Sequence, residues 1–275
     1  GRAWRGVAGD SFNTAVYLAR QGLAVSYLTR LGDDAGSDAI IARMASEGID
    51  VSAVTRCTGR LPGLYLIDND ASGERDFSYW RDQAPARELF DTLPALPHCD
   101  VFYLTGITVA VSRSGMDNLL RLLRQLRDRG TRIVYDPNYR PPLWRDASQA
   151  QQHSRQVIGL CHTVLPTLAD ERALWGTRSA DECLTFYHHQ GVAEVVVKGD
   201  QLTTHARAGD EQLELRAQAL PAVDTTGAGD AFNAGYLAVR LSGGSLHEAV
   251  ARAQQLAADV VQHRGAIMPR DQRNH

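Results

Sequence analysis

Cysteine is sparse in this chain. The four thiols, Cys57, Cys99, Cys161 and Cys183, stand far apart, form no CxxC pair and have no histidine cluster at zinc spacing, which argues against a structural zinc site. Buried, reduced thiols of a cytoplasmic protein are the expectation. An excess of one charge is also missing: 32 acidic residues face 29 basic ones, so no strong field draws nucleic acid or an anionic membrane surface. Any anion must be held by a local site. No apolar run approaches the length of a membrane span, and the opening Gly1-Arg2-Ala3-Trp4-Arg5 has no signal-peptide core. Internal repeats, low-complexity tracts and interdomain linkers are absent. So are a GxxxxGK[ST] phosphate loop and a GxGxxG after an opening strand.

What is present fits one large α/β domain. With 44% hydrophobic residues over 275 positions, the chain can bury a substantial core. Phe12, Ala15, Val16, Leu18 and Ala19 recur at helical spacing and predict a helix over 10–20, capped by Asp10 and ended by Gly22. A strand over 24–29 and a helix over 37–47, closed by Gly48, follow. From 51 to 80 the pattern changes: β-rich runs at 51–55, 64–68 and 75–79, separated by turn clusters, predict a small antiparallel sheet. Alternation then resumes with strand 101–104, helix 113–129, strand 132–135, helix 149–161, strand 163–165, helices 168–175 and 180–190, and strand 194–198. A hairpin over 203–207 and 212–215 and helices over 228–241 and 245–263 complete the chain. Such alternation argues for a parallel sheet covered by helices.

The most informative segment is Asp224-Thr225-Thr226-Gly227-Ala228-Gly229-Asp230-Ala231-Phe232, which follows an extended stretch and opens an apolar helix. Gly227 and Gly229 permit unusual φ/ψ values, so the successive N–H groups of Gly227, Ala228 and Gly229 can converge at a helix N-terminus as an anion hole. The helix dipole adds roughly half a positive charge there. Asp230, in the first turn beside those donors, can take a proton from an attacking hydroxyl. Phosphoryl transfer needs mainly positioning and electrostatic stabilisation, and this turn supplies both. A bare GxG followed by an ordinary Asp cap would carry no such chemistry, so the weight rests on the whole nine-residue string.

That string resembles the DTxGAGDxF signature of the PfkB (ribokinase-like) carbohydrate kinases and matches it throughout. The resemblance implies a three-layer ribokinase-like α/β fold: a mostly parallel central sheet flanked by helices, with a small β-sheet lid from the insert at about 51–80, in one domain over 1–275. It also implies ATP-dependent phosphorylation of a sugar with Asp230 as general base. Within the family, the branch acting on 2-keto-3-deoxygluconate is the most similar. Gly9-Asp10-Ser11-Phe12-Asn13-Thr14-Ala15 is similar to its GGDTxNTA segment, and 75–81, ending in Tyr79-Trp80-Arg81, to its lid strand. Asp136-Pro137-Asn138-Tyr139-Arg140 is similar to its DxNxR segment, and the stretch Gln262-His263-Arg264-Gly265-Ala266 also corresponds.

Residue by residue, the resemblance implies sugar contacts at Gly9, Asp10, Asn13, Tyr65, Tyr79, Arg81, Ile107, Arg140 and Asp230. It implies ATP contacts at Asn138, Arg140, Lys198, Gly199, Gly227 and Gly229, with Mg²⁺ beside the nucleotide and Asp170 as its carboxylate. The residue chemistry suits an acidic sugar, because an arginine fork holds a carboxylate through two charge-assisted hydrogen bonds, and Arg81 and Arg140 are the candidates. Tyr79 and Arg81 are two apart on a strand and share a face, while Trp80 points the other way. Lys198 and Gly199 fall at a strand end, where open α/β sheets bind ligands.

Departures from the pattern are specific. Thr167-Leu168-Ala169-Asp170 stands where the family has NxxE, and Ala8 replaces the first glycine of the common pair. The family's first strand should precede Gly1, and the chain opens without Met, so an N-terminally incomplete sequence and a gap in the sheet are expected. Two other functions stay open: a kinase for fructose, ribose or a nucleoside, and a catalytically silent sugar- or nucleotide-binding protein. A homodimer formed through the lid is expected from related kinases and from the need to cover the second face of the lid sheet.

Overall fold

The computed structural model describes residues 6–69, 75–177 and 179–270. The turn cluster expected at 70–74 lies outside the described residues, as does the segment 1–5. Helix α1 runs Asp10–Arg20 and stops ahead of Gly22, whose φ of 85° no β-carbon-bearing residue adopts cheaply. Its N-cap is Gly9, not Asp10. Asp10 is instead the first helical residue, because its carboxylate is taken up by hydrogen bonds from Asn138 and Thr105.

The strand expected at 24–29 reduces to a bridge between Ser26 and Asp50, and β1 forms later, at Thr29–Gly32. Helix α2, Ala35–Ser46, starts at Asp34, whose side chain accepts from the Gly36 and Ser37 amides. Strand β2, Val54–Cys57, pairs in parallel with β1. This corrects the expected three-stranded antiparallel insert: only β3, Leu64–Asn69, and β4, Arg75–Trp80, form the antiparallel lid hairpin. The β-propensity of 51–57 is the same for either partner, and tertiary packing chose β1.

Beyond the lid, β5 (Val101–Thr105), α3 (Gly106–Val111), α4 (Met116–Asp128), β6 (Arg132–Asp136) and α5 (Ala147–Ile158) alternate. The helix expected over 113–129 begins instead as a 3-10 turn at Arg113–Gly115, where any β-carbon on Gly115 would meet the Phe90 backbone at 2.3 Å. Next come β7 (Thr163–Val164), α6 (Leu168–Trp175), α7 (Ala180–His189) and β8 (Glu194–Lys198). The hairpin of β9 (Thr203–Ala208) and β10 (Glu211–Arg216) precedes the last two helices, α8 (Ala228–Leu241) and α9 (Leu246–Val260).

The central sheet has the order β10-β9-β8-β7-β6-β5, with β5 to β8 parallel and the final hairpin antiparallel. Alternation along each strand sorts side chains to two cores. Ile133, Tyr135, Val195 and Val197 join Leu119, Leu123 and Leu126 of α4 and Tyr187 of α7 on one face. Val134 and Val196 meet Phe232, Tyr236, Leu246 and Val250 of α8 and α9 on the other. Helix α1 packs on α8 and α9 through Tyr17, Ala231, Ala234 and Leu256. This arrangement carries the start of α8 to the carboxyl ends of β6 and β8.

Among the described residues β5 pairs only with β6. An apolar cavity of about 330 Å³ lies between β5, the Ala15 and Leu18 side of α1, and the segment 25–29. All four cysteines are free, with Cys161 and Cys183 buried and Cys57 and Cys99 only partly so. Among the described residues no helix is long and apolar enough to cross a membrane.

Candidate active site

The turn before α8 is fastened by Asp224. Its buried carboxylate accepts from the Thr226 amide and the Gly265 amide, each at 2.8 Å, tying the turn to the chain after α9. Gly227 caps α8 with φ 78°, and a β-carbon there would also lie 2.7 Å from the Ala266 carbonyl oxygen. Both constraints require glycine at this position. The amides that begin α8 have no preceding turn of helix to bond to. Of the three proposed donors, Ala228 already donates to the Thr225 carbonyl at 3.3 Å, which leaves the glycine amides as the better candidates for an anion.

Asp230 follows in the first turn of α8. One carboxylate oxygen accepts from Asn13 Nδ2 at 2.8 Å, and its backbone carbonyl accepts from the Thr14 hydroxyl at 3.3 Å. Burial, the nearby Asp10 and, more weakly, Asp136 push its carboxyl up to about 8, against the lowering effects of Asn13 and Lys198. Asp10 is likewise raised, chiefly by burial, while hydrogen bonds from Thr105 and Asn138 work in the other direction. A carboxyl poised near neutral pH is a competent proton acceptor.

Behind this turn lies a buried polar cluster. Lys198 Nζ donates to Asp136 Oδ2 at 3.2 Å and to Asn233 Oδ1 at 2.9 Å. Asn233 Nδ2 donates to the same Asp136 oxygen at 2.6 Å and to the Tyr103 hydroxyl at 3.0 Å. The lysine head is 3.9 Å from where a β-carbon on Gly229 would stand, so it underlies the glycine turn. Gly199 makes the turn tight: its amide donates to the Thr203 carbonyl at 2.8 Å, and a β-carbon would come 2.7 Å from that oxygen.

Two residues expected at the nucleotide meet partners within the protein. Asn138, at φ 34°, donates from its amide to Asp136 Oδ1 at 3.0 Å and from its side chain to Asp10 Oδ2 at 3.1 Å. Arg140 Nη1 sits 3.3 Å from both oxygens of Asp170, beside its neighbour's carbonyl at 2.7 Å. This pairing sets Arg140 next to Asp170 rather than in the lid. Burial raises Asp170 despite Arg140. Among the described residues no three His, Cys, Asp or Glu side chains gather as a metal site.

In the lid, Tyr65 faces Tyr79 with ring centroids 6.1 Å apart, and the Arg81 guanidinium lies 4.2 Å over the Tyr79 ring. Burial, the neighbouring Tyr79 and, more weakly, the Asp230 charge raise the Tyr65 hydroxyl above its ordinary value. Ile107 and Asp10 border the 330 Å³ cavity, but Asp230 and Lys198 do not. Gly9 closes the first turn of α1, its carbonyl accepting from the Asn13 amide at 2.7 Å.

Sequence reasoning missed Tyr103, Thr105 and Asn233. Asn233 had a signal, since it stands three residues after Asp230 on one face of α8. Tyr103 and Thr105 had none, because a strand residue gives no hint of which buried carboxylate it will meet.

The model of the pfkB family carbohydrate kinases matches residues 1–273. The 2-dehydro-3-deoxygluconokinase of Escherichia coli K12 is 41% identical over 282 residues, covering 97% of this chain and 91% of that protein. That of Dickeya dadantii is 41% identical over 280 residues, 96% of this chain and 90% of the relative. A ribokinase II structure from E. coli, in complex with ATP and Mg²⁺, superposes with a TM-score of 0.84 at 22% identity over 97% of this chain and 87% of that one. With a family match over nearly its whole length and close relatives covering as much, the chain belongs to the pfkB family of carbohydrate kinases.

Proposed function

We propose that this protein is an ATP-dependent 2-keto-3-deoxygluconate kinase, transferring the γ-phosphoryl group to the terminal hydroxyl of the sugar acid. The observation that carries the reading is Asp230: a carboxyl held by Asn13, pushed up to about 8, beside the Gly227–Gly229 turn and Lys198. The similarity to two 2-dehydro-3-deoxygluconokinases supports the choice of acceptor.

In this mechanism the terminal hydroxyl oxygen attacks the γ-phosphorus while its proton passes to Asp230. The bond from phosphorus to the β,γ-bridging oxygen breaks, and ADP leaves. The glycine amides and the Lys198 ammonium stabilise charge on the phosphoryl oxygens. At the far end of the substrate, Arg81 binds the carboxylate from the lid, with Tyr79 and Tyr65 covering the carbon chain. Asp10 and Asn13 hold sugar hydroxyls. Asn138 acts through Asp10, and Arg140 and Asp170 belong to the nucleotide side.

Mg²⁺ keeps most of its waters and takes one or two carboxylates together with substrate phosphates. The partly buried Asp170, near Lys198 and Asp136, fits that share. Asp170 would hold the ion, which would offset phosphate charge.

The lid supports a homodimer. Leu64 and Trp80 are register partners, and they share with Leu66 the hairpin face opposite Tyr65 and Tyr79. They are 61%, 58% and 44% exposed respectively, an apolar face that a second copy of the lid would cover. Sedimentation of the wild type as a dimer, and of Trp80→Glu as a monomer, is the expected outcome.

The test of function is a panel assay of purified protein with ATP against 2-keto-3-deoxygluconate, fructose, ribose and a nucleoside. Preference for the keto acid supports the proposal. Preference for a neutral acceptor favours another PfkB activity, and sugar binding without ADP release favours a silent binding protein.

A further inference from the structure

Asn233 lies one helical turn beyond Asp230, is wholly buried, and uses its amide in three directions. Its carbonyl accepts from Lys198, and its NH₂ group donates to Asp136 and to the Tyr103 hydroxyl. No other arrangement of the amide satisfies these partners, because the reverse would set NH₂ against an ammonium. Four elements thus meet at one side chain: β5 through Tyr103, β6 through Asp136, β8 through Lys198, and α8 itself.

Lys198 is the only lysine in the sequence, and the other basic residues are all arginine. A lysine head is a compact point charge on a flexible four-carbon stem, so its position depends on what holds it. Here the side chain is 13% exposed, and two of its three donors are spent on Asp136 and Asn233. Among the described residues the third meets no acceptor, and it can reach an incoming oxygen under the glycine turn.

We propose that Asn233 is a positioning residue for phosphoryl transfer, holding the Lys198 ammonium beneath the start of α8 and binding its counter-charge, Asp136, away from Asp230. The proposal rests on the kinase reading above. An asparagine is required because one group must accept from a cation and donate to an anion at once, which neither a carboxylate nor an apolar side chain does. The groups facing Asp230 are Asp10 and Tyr17 from α1, Tyr27, Tyr65 from the lid, Tyr103 from β5, Asp136 from β6 and Lys198 from β8. Among these described groups Lys198 is the cation. Loosening it therefore weakens a charge that favours ionised Asp230 and leaves Asp136 less compensated.

The experiment compares wild type with Asn233→Ala and the isosteric Asn233→Asp. Activity with ATP and the keto acid is expected to fall about 10- to 100-fold in kcat at neutral pH, with KM for the sugar within about threefold. The acid limb of the kcat profile is expected to move up by about half to one pH unit. Because there is one lysine, ¹⁵Nζ-lysine labelling gives one side-chain ammonium resonance, visible when hydrogen bonds slow its exchange with water. That resonance is expected in the wild type and is expected to shift or vanish in both variants. A residue needed only for folding would lower Tm and leave the pH profile in place. Should Asn233→Ala fail to fold, Asn233→Asp carries the test. Wild-type kcat and an unmoved acid limb in a folded variant, or an unchanged ¹⁵Nζ resonance, would overturn the proposal. If the wild type phosphorylates no acceptor, the kinase reading fails, and the resonance still decides whether Asn233 positions Lys198.

Discussion

Asn13 Nδ2 and Asp230 Oδ2 are 2.8 Å apart although 217 residues separate them in the chain, so α1 supplies the hydrogen bond that restrains the proposed base on α8. This bond favours ionised Asp230 against burial and the repulsion of Asp10. Asn13→Ala should therefore raise the apparent pKa of the base. We expect kcat near neutral pH to drop about tenfold, recovering in part as pH rises, and a pH–rate profile checks this.

Asp230→Asn should abolish phosphorylation, a loss of about 10²- to 10⁴-fold from the missing base, with calorimetric sugar binding retained. The same variant should be more stable than wild type. A carboxyl raised from 3.8 to about 8 contributes stability fully present below the unfolded value and lost as pH rises through the folded one. The gain in stability should thus be largest above pH 8, at most about 5 kcal/mol for a rise of roughly four pH units, and vanish near pH 4. Thermal melts across pH test the sign.

Arg81→Ala removes a fork that stacks 4.2 Å over Tyr79. If it binds the substrate carboxylate, KM for the keto acid should rise about 10- to 100-fold, as for a charged hydrogen bond worth roughly 1.5–3 kcal/mol. Any slow turnover of a neutral sugar should be unaffected. Equal losses for both acceptors would argue against carboxylate recognition.

Gly227→Ala combines a φ of 78° with a 2.7 Å approach to the Ala266 carbonyl, whereas Gly243→Ala has a φ of 83° and nothing within 4 Å. The second substitution should cost about 1 kcal/mol and leave kcat alone. The first should cost several times more and lower kcat, since the turn must shift. Denaturant melts and kinetics on the two variants separate strain from displacement.

Glu47 is 1% exposed at its side chain and meets Arg20 at 2.8 Å, Arg43 at 2.6 Å and Arg270 at 3.1 Å, joining α1, α2 and the chain after α9. Burial alone would raise its carboxyl, but the three guanidinium groups hold it below the ordinary value. Its contribution is therefore present above pH 4.5 and lost as pH falls through the folded value. Glu47→Gln should destabilise by about 2 kcal/mol at pH 7 and by less toward pH 3. Urea melts at the two pH values measure the difference.

Much of the architecture was legible locally. Helices α6 and α8 and strand β8 begin and end where periodicity and turn residues set them. The pairing of β2 was not, because a short β-rich run carries no label for its partner, and β1 was itself displaced from the expected stretch at 24–29. Asn138 and Arg140 could be singled out from the sequence, but not the groups they meet, Asp10 and Asp170, which come from distant segments.

The sequence by itself determined the turn at Gly227 and the first-turn place of Asp230, because both follow from backbone geometry over a few residues, whereas β4 ends at Trp80 and the place of Arg81 over Tyr79 came with the fold. Only the tertiary structure decided the proton affinity of Asp230, the hold of Asn233 on Lys198 and the hydrogen bond from Asn13 to Asp230. Those depend on burial and on charges from other elements, and neither exists until the chain has folded around them.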